Sequence, residues 1–182
     1  MLFSFAVSAL LYLSSTVASP LASRASTCTA MLEGNLSPNG NYGNFKILNG
    51  AVVWDPNNIA DGFWVSLMSC GAAEASNSNG NESGELQATT GGQCLSVASE
   101  STIQAVTCPS GGAAASSATN TMTWSMYEGF LFWSGPTSTA CPSGLYGYIA
   151  TDASGIPAAP QDTPLTLGCL TAPNVFGFSL LD

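Results

Sequence analysis

The chain has 182 residues and a formal net charge of −9, because it carries 11 acidic residues, two basic residues and no histidine. Two cations cannot build the Lys/Arg patch that binds phosphate backbones, so we expect no nucleic-acid partner. Without histidine, neither a histidine-assisted nucleophile nor an imidazole metal site can form, and we expect no metal and no cofactor.

The N-terminus predicts a signal peptide. An apolar run that ends at Leu13 is followed by small residues, and cleavage after Ala18 is expected, so residues 1–18 form the signal. This run is too short to span a bilayer. We therefore expect a secreted, extracellular protein that does not insert into membranes after signal removal. A short segment at 19–27 then precedes a single domain at 28–182.

Beyond the signal, the sequence predicts short β-strands, because Gly, Pro, Asn and Ser interrupt it every few residues and no helical apolar period is sustained. The predicted strands are 45–48, 51–54, 63–68, 84–88, 93–97, 103–108, 122–126, 130–133, 145–150, 165–169 and 175–180. Residues 71–83 and 109–121 have a low-complexity composition and are predicted as surface loops. Short strands with turn chemistry between them indicate a sandwich or a barrel.

Two sequence elements recur along the chain and predict three repeated units. A Gly-x-Leu element occurs at 34–36, 84–86 and 129–131, at nearly equal spacing. After each one comes a strand that ends in cysteine, at 65–70, 103–108 and 164–169. The same order in three places favours an internal threefold repeat.

Six cysteines in an exported chain predict three disulfides, and many pairings are open from sequence alone. The simplest pairing joins neighbours along the chain: Cys28 with Cys70, Cys94 with Cys108, and Cys141 with Cys169. Two acceptor triplets, at Asn35 and Asn81, predict N-glycosylation on exposed loops.

The middle unit contains, in order, Gly84-Glu85-Leu86, the segment 92–97 with its Cys-Leu pair, the strand 103–108, Met122-Thr123-Trp124 and Gly129-Phe130-Leu131. In this order the elements resemble one repeat of the ricin B-type lectin family. The resemblance implies an all-β, β-trefoil fold with three degenerate repeats and about twelve short strands. It also implies a disulfide between Cys94 and Cys108 and shallow sugar pockets. The composition is typical of a secreted fungal protein.

Sugar-binding members of that family usually place a carboxylate after the Cys-Leu pair and a glutamine in a Gln-x-Trp element. This chain has Ser96 and Met122 at those positions, so we expect pockets in the first and third units instead. The predicted carbohydrate-binding residues pair an aromatic ring with a carboxylate: Trp54 with Asp55 and Trp64 in the first unit, and Tyr148 with Asp152 in the third. Packing in the core is the alternative for the aromatic residues, and turn formation is the alternative for the aspartates.

The sequence therefore predicts a lectin-like protein without enzymatic activity that binds neutral glycans or glycoproteins. One alternative is a secreted trefoil protein with decayed sugar sites that acts on a protein partner as an inhibitor, wall component or effector. Another is a glycoside hydrolase, which needs facing carboxylates such as Glu85 with Glu128 or Asp55 with Asp61. Exposed aromatic residues beside Asp or Asn would favour the lectin, and exposed apolar residues on loops would favour protein binding.

Overall fold

The chain forms an all-β structure in the computed structural model, which describes residues 28–40, 42–58, 62–70, 82–98, 101–108 and 122–181. The strands are β1 (Thr29–Ser37), β2 (Asn44–Leu48), β3 (Ala51–Asp55), β4 (Trp64–Ser69), β5 (Ser83–Ala88), β6 (Gln93–Val97), β7 (Ile103–Thr107), β8 (Thr123–Tyr127), β9 (Phe130–Ser134), β10 (Leu145–Ile149), β11 (Leu167–Cys169), β12 (Val175–Phe176) and β13 (Ser179–Leu181). Within these ranges there is no helix, and hence no helix that could span a membrane. The predicted signal peptide, the segment 19–27, loop 109–121 and most of loop 71–83 lie outside the described residues.

The sequence pattern did not predict strand β1, although β1 has partners on both sides. Its pairing with β4 shifts register between Ala30 and Leu32. Such a bulge interrupts the alternation of inward and outward side chains that identifies a strand. Gly34 also weakens the pattern, because it has no side chain. A Cβ atom at this position would lie 2.8 Å from the Leu181 carbonyl oxygen, so the close approach of β13 requires glycine. At the other end of the chain, the predicted strand 175–180 divides into β12 and β13.

One set of strands pairs in a circuit. β1 pairs with β4, β4 with β5, β5 with β8, and β8 with β9, all antiparallel. The C-terminal strand β13 pairs with β1. A bridge between Leu131 of β9 and Phe178, the residue before β13, has two backbone hydrogen bonds of 2.9 Å. The pairings therefore lead from β1 back to β1.

Six of the other strands form antiparallel pairs between successive members of this circuit, and the short strand β12 pairs with β10. The six form the pairs β2–β3, β6–β7 and β10–β11. The first turns at Asn49 and Gly50, which both have positive φ (52° and 79°), as a tight two-residue hairpin turn requires. Backbone bridges from Val53 to Pro164 and from Thr102 to Thr166 connect the hairpin regions with one another.

The Gly-x-Leu element lies in or just before the first strand of each unit. Its leucines Leu36, Leu86 and Leu131 belong to β1, β5 and β9 and are fully buried. The glycines differ in role. Gly84 gives room for the neighbouring strand, whereas Gly129 has a φ of 83° and forms a turn. The shared leucine, which fills the interior, is therefore the part of the repeat with a common structural role.

The equivalence of the three cysteine-ending strands is wrong for the first unit. Cys70 follows β4, the fourth strand of its unit, whereas Cys108 follows β7 and Cys169 ends β11, the third strands of theirs. The disulfides nevertheless join neighbours along the chain, as the simplest pairing predicted: Cys28–Cys70, Cys94–Cys108 and Cys141–Cys169. Each disulfide therefore closes a loop within a single unit.

Aromatic side chains from all three units meet in the core. The Phe178 ring lies 5.5 Å from Phe45, 5.8 Å from Trp124 and 5.3 Å from Tyr148, measured between ring centroids. These four side chains are fully buried and pack in edge-to-face or tilted geometry. The Trp124 indole donates to the Leu95 carbonyl oxygen at 3.0 Å, so its polar group is satisfied inside the protein.

Candidate functional site

Tyr148 does not line a surface pocket, so its prediction as a sugar-stacking residue is wrong. The side chain is fully buried and packs against Phe45 and Phe178. Its hydroxyl accepts a hydrogen bond from the Asn39 backbone N–H and donates one to the Gly155 carbonyl, both at 2.8 Å. This burial raises the pKa of Tyr148 to about 12. The Tyr148 ring therefore packs in the core, which was the alternative expected at this position.

Asp152 is exposed, but it forms its own turn. Its carboxylate accepts hydrogen bonds from the hydroxyl and the backbone N–H of Ser154. Both bonds stabilise the ionised carboxylate and lower the pKa of Asp152, the hydroxyl bond more strongly. The third-unit pocket is therefore not assembled, because its ring is in the core and its carboxylate stabilises a turn.

Trp54 and Asp55 are consecutive in β3 and so point to opposite faces of the strand. The Trp54 indole donates to the Tyr42 carbonyl oxygen at 2.6 Å. Asp55 accepts a bond from Lys46 at 2.7 Å, and Lys46 also pairs with Asp162 at 2.7 Å. The Lys46 hydrogen bond lowers the pKa of Asp55. Both residues thus connect segments of the fold, and they do not share one pocket.

Trp64 is the predicted aromatic residue that remains open, since 48% of its surface is exposed. It begins β4 opposite Asn35 of β1, and Asn35 lies opposite Leu181 of β13. Leu181 is 47% exposed. Residues directly opposite in antiparallel strands project from the same face, so Trp64 and Leu181 flank Asn35 in one row.

The prediction of an exposed glycosylation loop at Asn35 is wrong. Asn35 lies in β1 between two partner strands, and its Nδ2 donates to the Asn44 Oδ1 at 3.1 Å. That nitrogen is the atom to which a glycan would be attached. The second acceptor, Asn81, lies outside the described residues.

A groove of about 380 Å³ lies elsewhere on the surface, between the β8–β9 hairpin and the C-terminal segment. Its walls are mainly aromatic and aliphatic, with one carboxylate and one amide side chain among the residues that line it. The lining residues are Asn39, Tyr127, Glu128, Phe130, Phe132, Leu170, Val175, Phe176 and Gly177.

The β8–β9 turn positions the first wall of this groove. Glu128 and Gly129 have positive φ values of 51° and 83°, so the chain reverses in two residues and places Tyr127 opposite Phe130. Phe132 follows on the same face as Phe130 because strand side chains alternate. The rings of Tyr127 and Phe132 meet edge to face at 6.3 Å. The turn therefore places Glu128, the one acidic residue of the lining, between Tyr127 and Phe130.

The C-terminal segment forms the second wall. Phe176 of β12 stacks on the core residue Tyr148, with a centroid distance of 6.1 Å and an interplanar angle of 29°. A Cβ atom at position 177 would lie 2.5 Å from the Phe130 Cβ and 2.6 Å from the Phe132 ring. Gly177 therefore allows the two walls to approach, and the core fixes the position of Phe176.

The residues that line this groove can bind an uncharged or cationic ring. Aromatic faces pack against C–H groups, and a carboxylate and an amide at the edge accept or donate hydrogen bonds. Within the described ranges, no group of three or more His, Cys, Asp or Glu side chains could hold a metal ion.

A second depression, of about 500 Å³, lies between β10 and the segment 158–166. Alanine, proline and threonine side chains and the exposed Ile149 line it. Its lining offers two threonine hydroxyls but no charged side chain and no aromatic ring that could stack on a ligand. The aromatic groove is therefore the better candidate.

From the sequence, Glu128 is a candidate only as the partner of Glu85 in a carboxylate pair. Glu85 is 2% exposed within β5, whereas Glu128 is exposed in its turn, so these two groups do not face each other across a cleft. Asp61, considered with Asp55, lies outside the described residues. One signal for the groove was present in the sequence, because aromatic residues at 127, 130 and 132 surround a Glu-Gly turn.

No protein-family model, curated protein or solved structure matches this chain.

Proposed function

We propose that this chain is a secreted carbohydrate-binding protein and that the aromatic groove holds the sugar. The observation that carries the proposal is that aromatic residues, Glu128 and Asn39 line one open depression. Sugar rings present C–H faces that pack on aromatic rings and hydroxyls that bond to carboxylates and amides. The groove volume falls within the range of about 300–1,000 Å³ that is common for ligand sites.

A β-trefoil fold of the ricin B-type lectin kind is part of this proposal. The circuit of pairings through β1, β4, β5, β8, β9 and β13 supports it, since a trefoil has one closed set of strands with three hairpins attached. The buried leucine at the start of each unit supports a threefold repeat. The three disulfides and the predicted signal peptide support export from the cell.

The experiment is a glycan array with the oxidised protein from residue 19 onward. We expect specific binding that is lost in Tyr127→Ala and weakened in Glu128→Gln, with both variants retaining the thermal unfolding cooperativity of the parent. Ile149→Ala removes an exposed apolar side chain from the other depression and is the matched control. No binding by folded protein, or binding that survives both groove substitutions, would overturn the proposal.

Binding of a protein partner is a second candidate, favoured by the exposed Trp64 and Leu181 on one face. Large apolar side chains in an open row are typical of contact surfaces between proteins. The two candidate functions predict different results when glycans are removed enzymatically from a glycoprotein ligand: a carbohydrate-binding protein loses its ligand, and a protein-binding one does not. Binding that persists after deglycosylation and is lost in Trp64→Ala would favour this second candidate.

A further inference from the structure

The aromatic groove contains a single charged side chain. Glu128 lies in the exposed β8–β9 turn, and every other residue that lines the groove is uncharged. Glu128 follows Tyr127 directly in this turn, and Tyr127 pairs across the turn with Phe130. Aromatic faces attract cations through their quadrupole, so the rings and the carboxylate both favour a positively charged ligand.

The rest of the molecule reinforces that sign. The chain has a formal net charge of −9 with only two basic residues. One of these is Lys46, whose Nζ lies 2.7 Å from both Asp55 and Asp162. Its charge is therefore compensated by two carboxylates. A strongly negative protein concentrates cationic ligands near its surface and repels anionic ones.

We propose that the groove selects glycans that carry a protonated amine, namely amino sugars without the N-acetyl group, over neutral and acidic glycans. The proposal rests on the carbohydrate-binding function above and specifies its ligand class. The sugar ring packs on the aromatic walls, and its ammonium group bonds to the Glu128 carboxylate and contacts a ring face. Sugars with carboxylate or sulfate groups are repelled by Glu128 and by the net negative charge of the protein, so the groove excludes them.

The test compares glucosamine oligosaccharides with N-acetylglucosamine oligosaccharides of the same length by calorimetry, at mildly acidic pH and low salt. We expect the wild-type protein to bind the amine form about five- to tenfold more tightly, since one partly exposed cation contact contributes about 1 kcal/mol. Added salt should reduce this preference. In Glu128→Gln the amine form should lose more affinity than the N-acetyl form, so that the two affinities converge.

A matched control separates a local contact from diffuse attraction. Glu33→Gln removes one exposed negative charge from β1 and leaves the groove unchanged. The preference for the amine should persist in this variant. If it falls as much as in Glu128→Gln, overall charge explains the effect and the assignment to the groove is overturned.

The remaining outcomes distinguish this inference from the proposed function. Equal affinity of the wild-type protein for both oligosaccharides would overturn the amine preference and leave carbohydrate binding in place. A preference unchanged in Glu128→Gln would overturn the role of that carboxylate. Absence of binding to any oligosaccharide by folded protein would overturn the proposed function itself.

Discussion

Replacing Tyr148 with phenylalanine keeps the buried ring and removes only its hydroxyl. Two hydrogen bonds are lost, from the Asn39 N–H and to the Gly155 carbonyl. Gly155 is buried, so its carbonyl is left without water, whereas Asn39 is half-buried and its N–H can be hydrated. An orphaned buried group costs about 1–3 kcal/mol and a replaceable bond about 1 kcal/mol. We therefore expect Tyr148→Phe to lower the free energy of unfolding by about 2–4 kcal/mol.

The same substitution should remove a dependence on alkaline pH. The folded state raises the pKa of Tyr148 from 10.0 to about 12. Between these values the unfolded chain loses the proton and the folded chain keeps it, so stability falls as pH rises from 10 towards 12. Two pH units correspond to at most about 3 kcal/mol. The phenylalanine variant has no such proton, and its disadvantage should shrink over this range.

Equilibrium unfolding in urea at neutral pH and at several pH values up to 12 measures both effects. Tyr146→Phe is the control, because the Tyr146 hydroxyl makes an exposed bond of 2.9 Å to the Pro136 carbonyl. Its loss should lower stability by less than about 1 kcal/mol. A stability difference between wild type and Tyr148→Phe that is small at neutral pH, or that stays constant up to pH 12, would contradict the stabilising role of the buried hydroxyl.

Three further predictions concern the groove wall, the ion pair and a disulfide. Gly177→Ala brings a methyl group to 2.5 Å from the opposite wall and should destabilise by about 1–3 kcal/mol in thermal unfolding; an unchanged Tm would contradict this close approach. Lys46→Met should raise the pKa of Asp55, because the hydrogen bond from Lys46 lowers it. A lowered carboxyl pKa stabilises the fold only while the group is ionised, so this variant should lose less stability than wild type as pH falls. NMR titration measures the pKa of Asp55, and an unchanged value would disprove the pairing. The double variant Cys94→Ala/Cys108→Ala opens a 14-residue loop and should lower stability by roughly 3 kcal/mol in urea, whereas a loss below about 1 kcal/mol would show that strand pairing holds the hairpin unaided.

Local patterns in the sequence were enough to predict most strands and the disulfides. Leu36, Leu86 and Leu131 recur because equivalent positions of the units point into one interior. Neighbouring cysteines pair because each unit folds back on itself before the next begins. These features depend on residues close in sequence, and so a linear pattern contains them. Strand β1 was missed because its bulge breaks that pattern.

The site could not be predicted in the same way. Whether an aromatic residue lies in the core or on the surface depends on contacts between units, and Tyr148 became buried by packing against Phe45 and Phe178. The groove likewise joins Phe130 to the distant residues Phe176 and Gly177. Nothing within either segment indicates the other, so composition and spacing could not predict that these residues line one groove.

The order of the disulfides affects how the protein acquires its covalent structure. A chain made from its N-terminus presents Cys28 and Cys70 before any other cysteine, then Cys94 and Cys108, then Cys141 and Cys169. If each pair oxidises as its second member emerges, no competing thiol is present, and mispaired intermediates have no opportunity to form. Refolding of the full-length reduced chain lacks this temporal order, since all six thiols compete at once. Correct bonds should therefore form with a higher yield during synthesis than on dilution from denaturant.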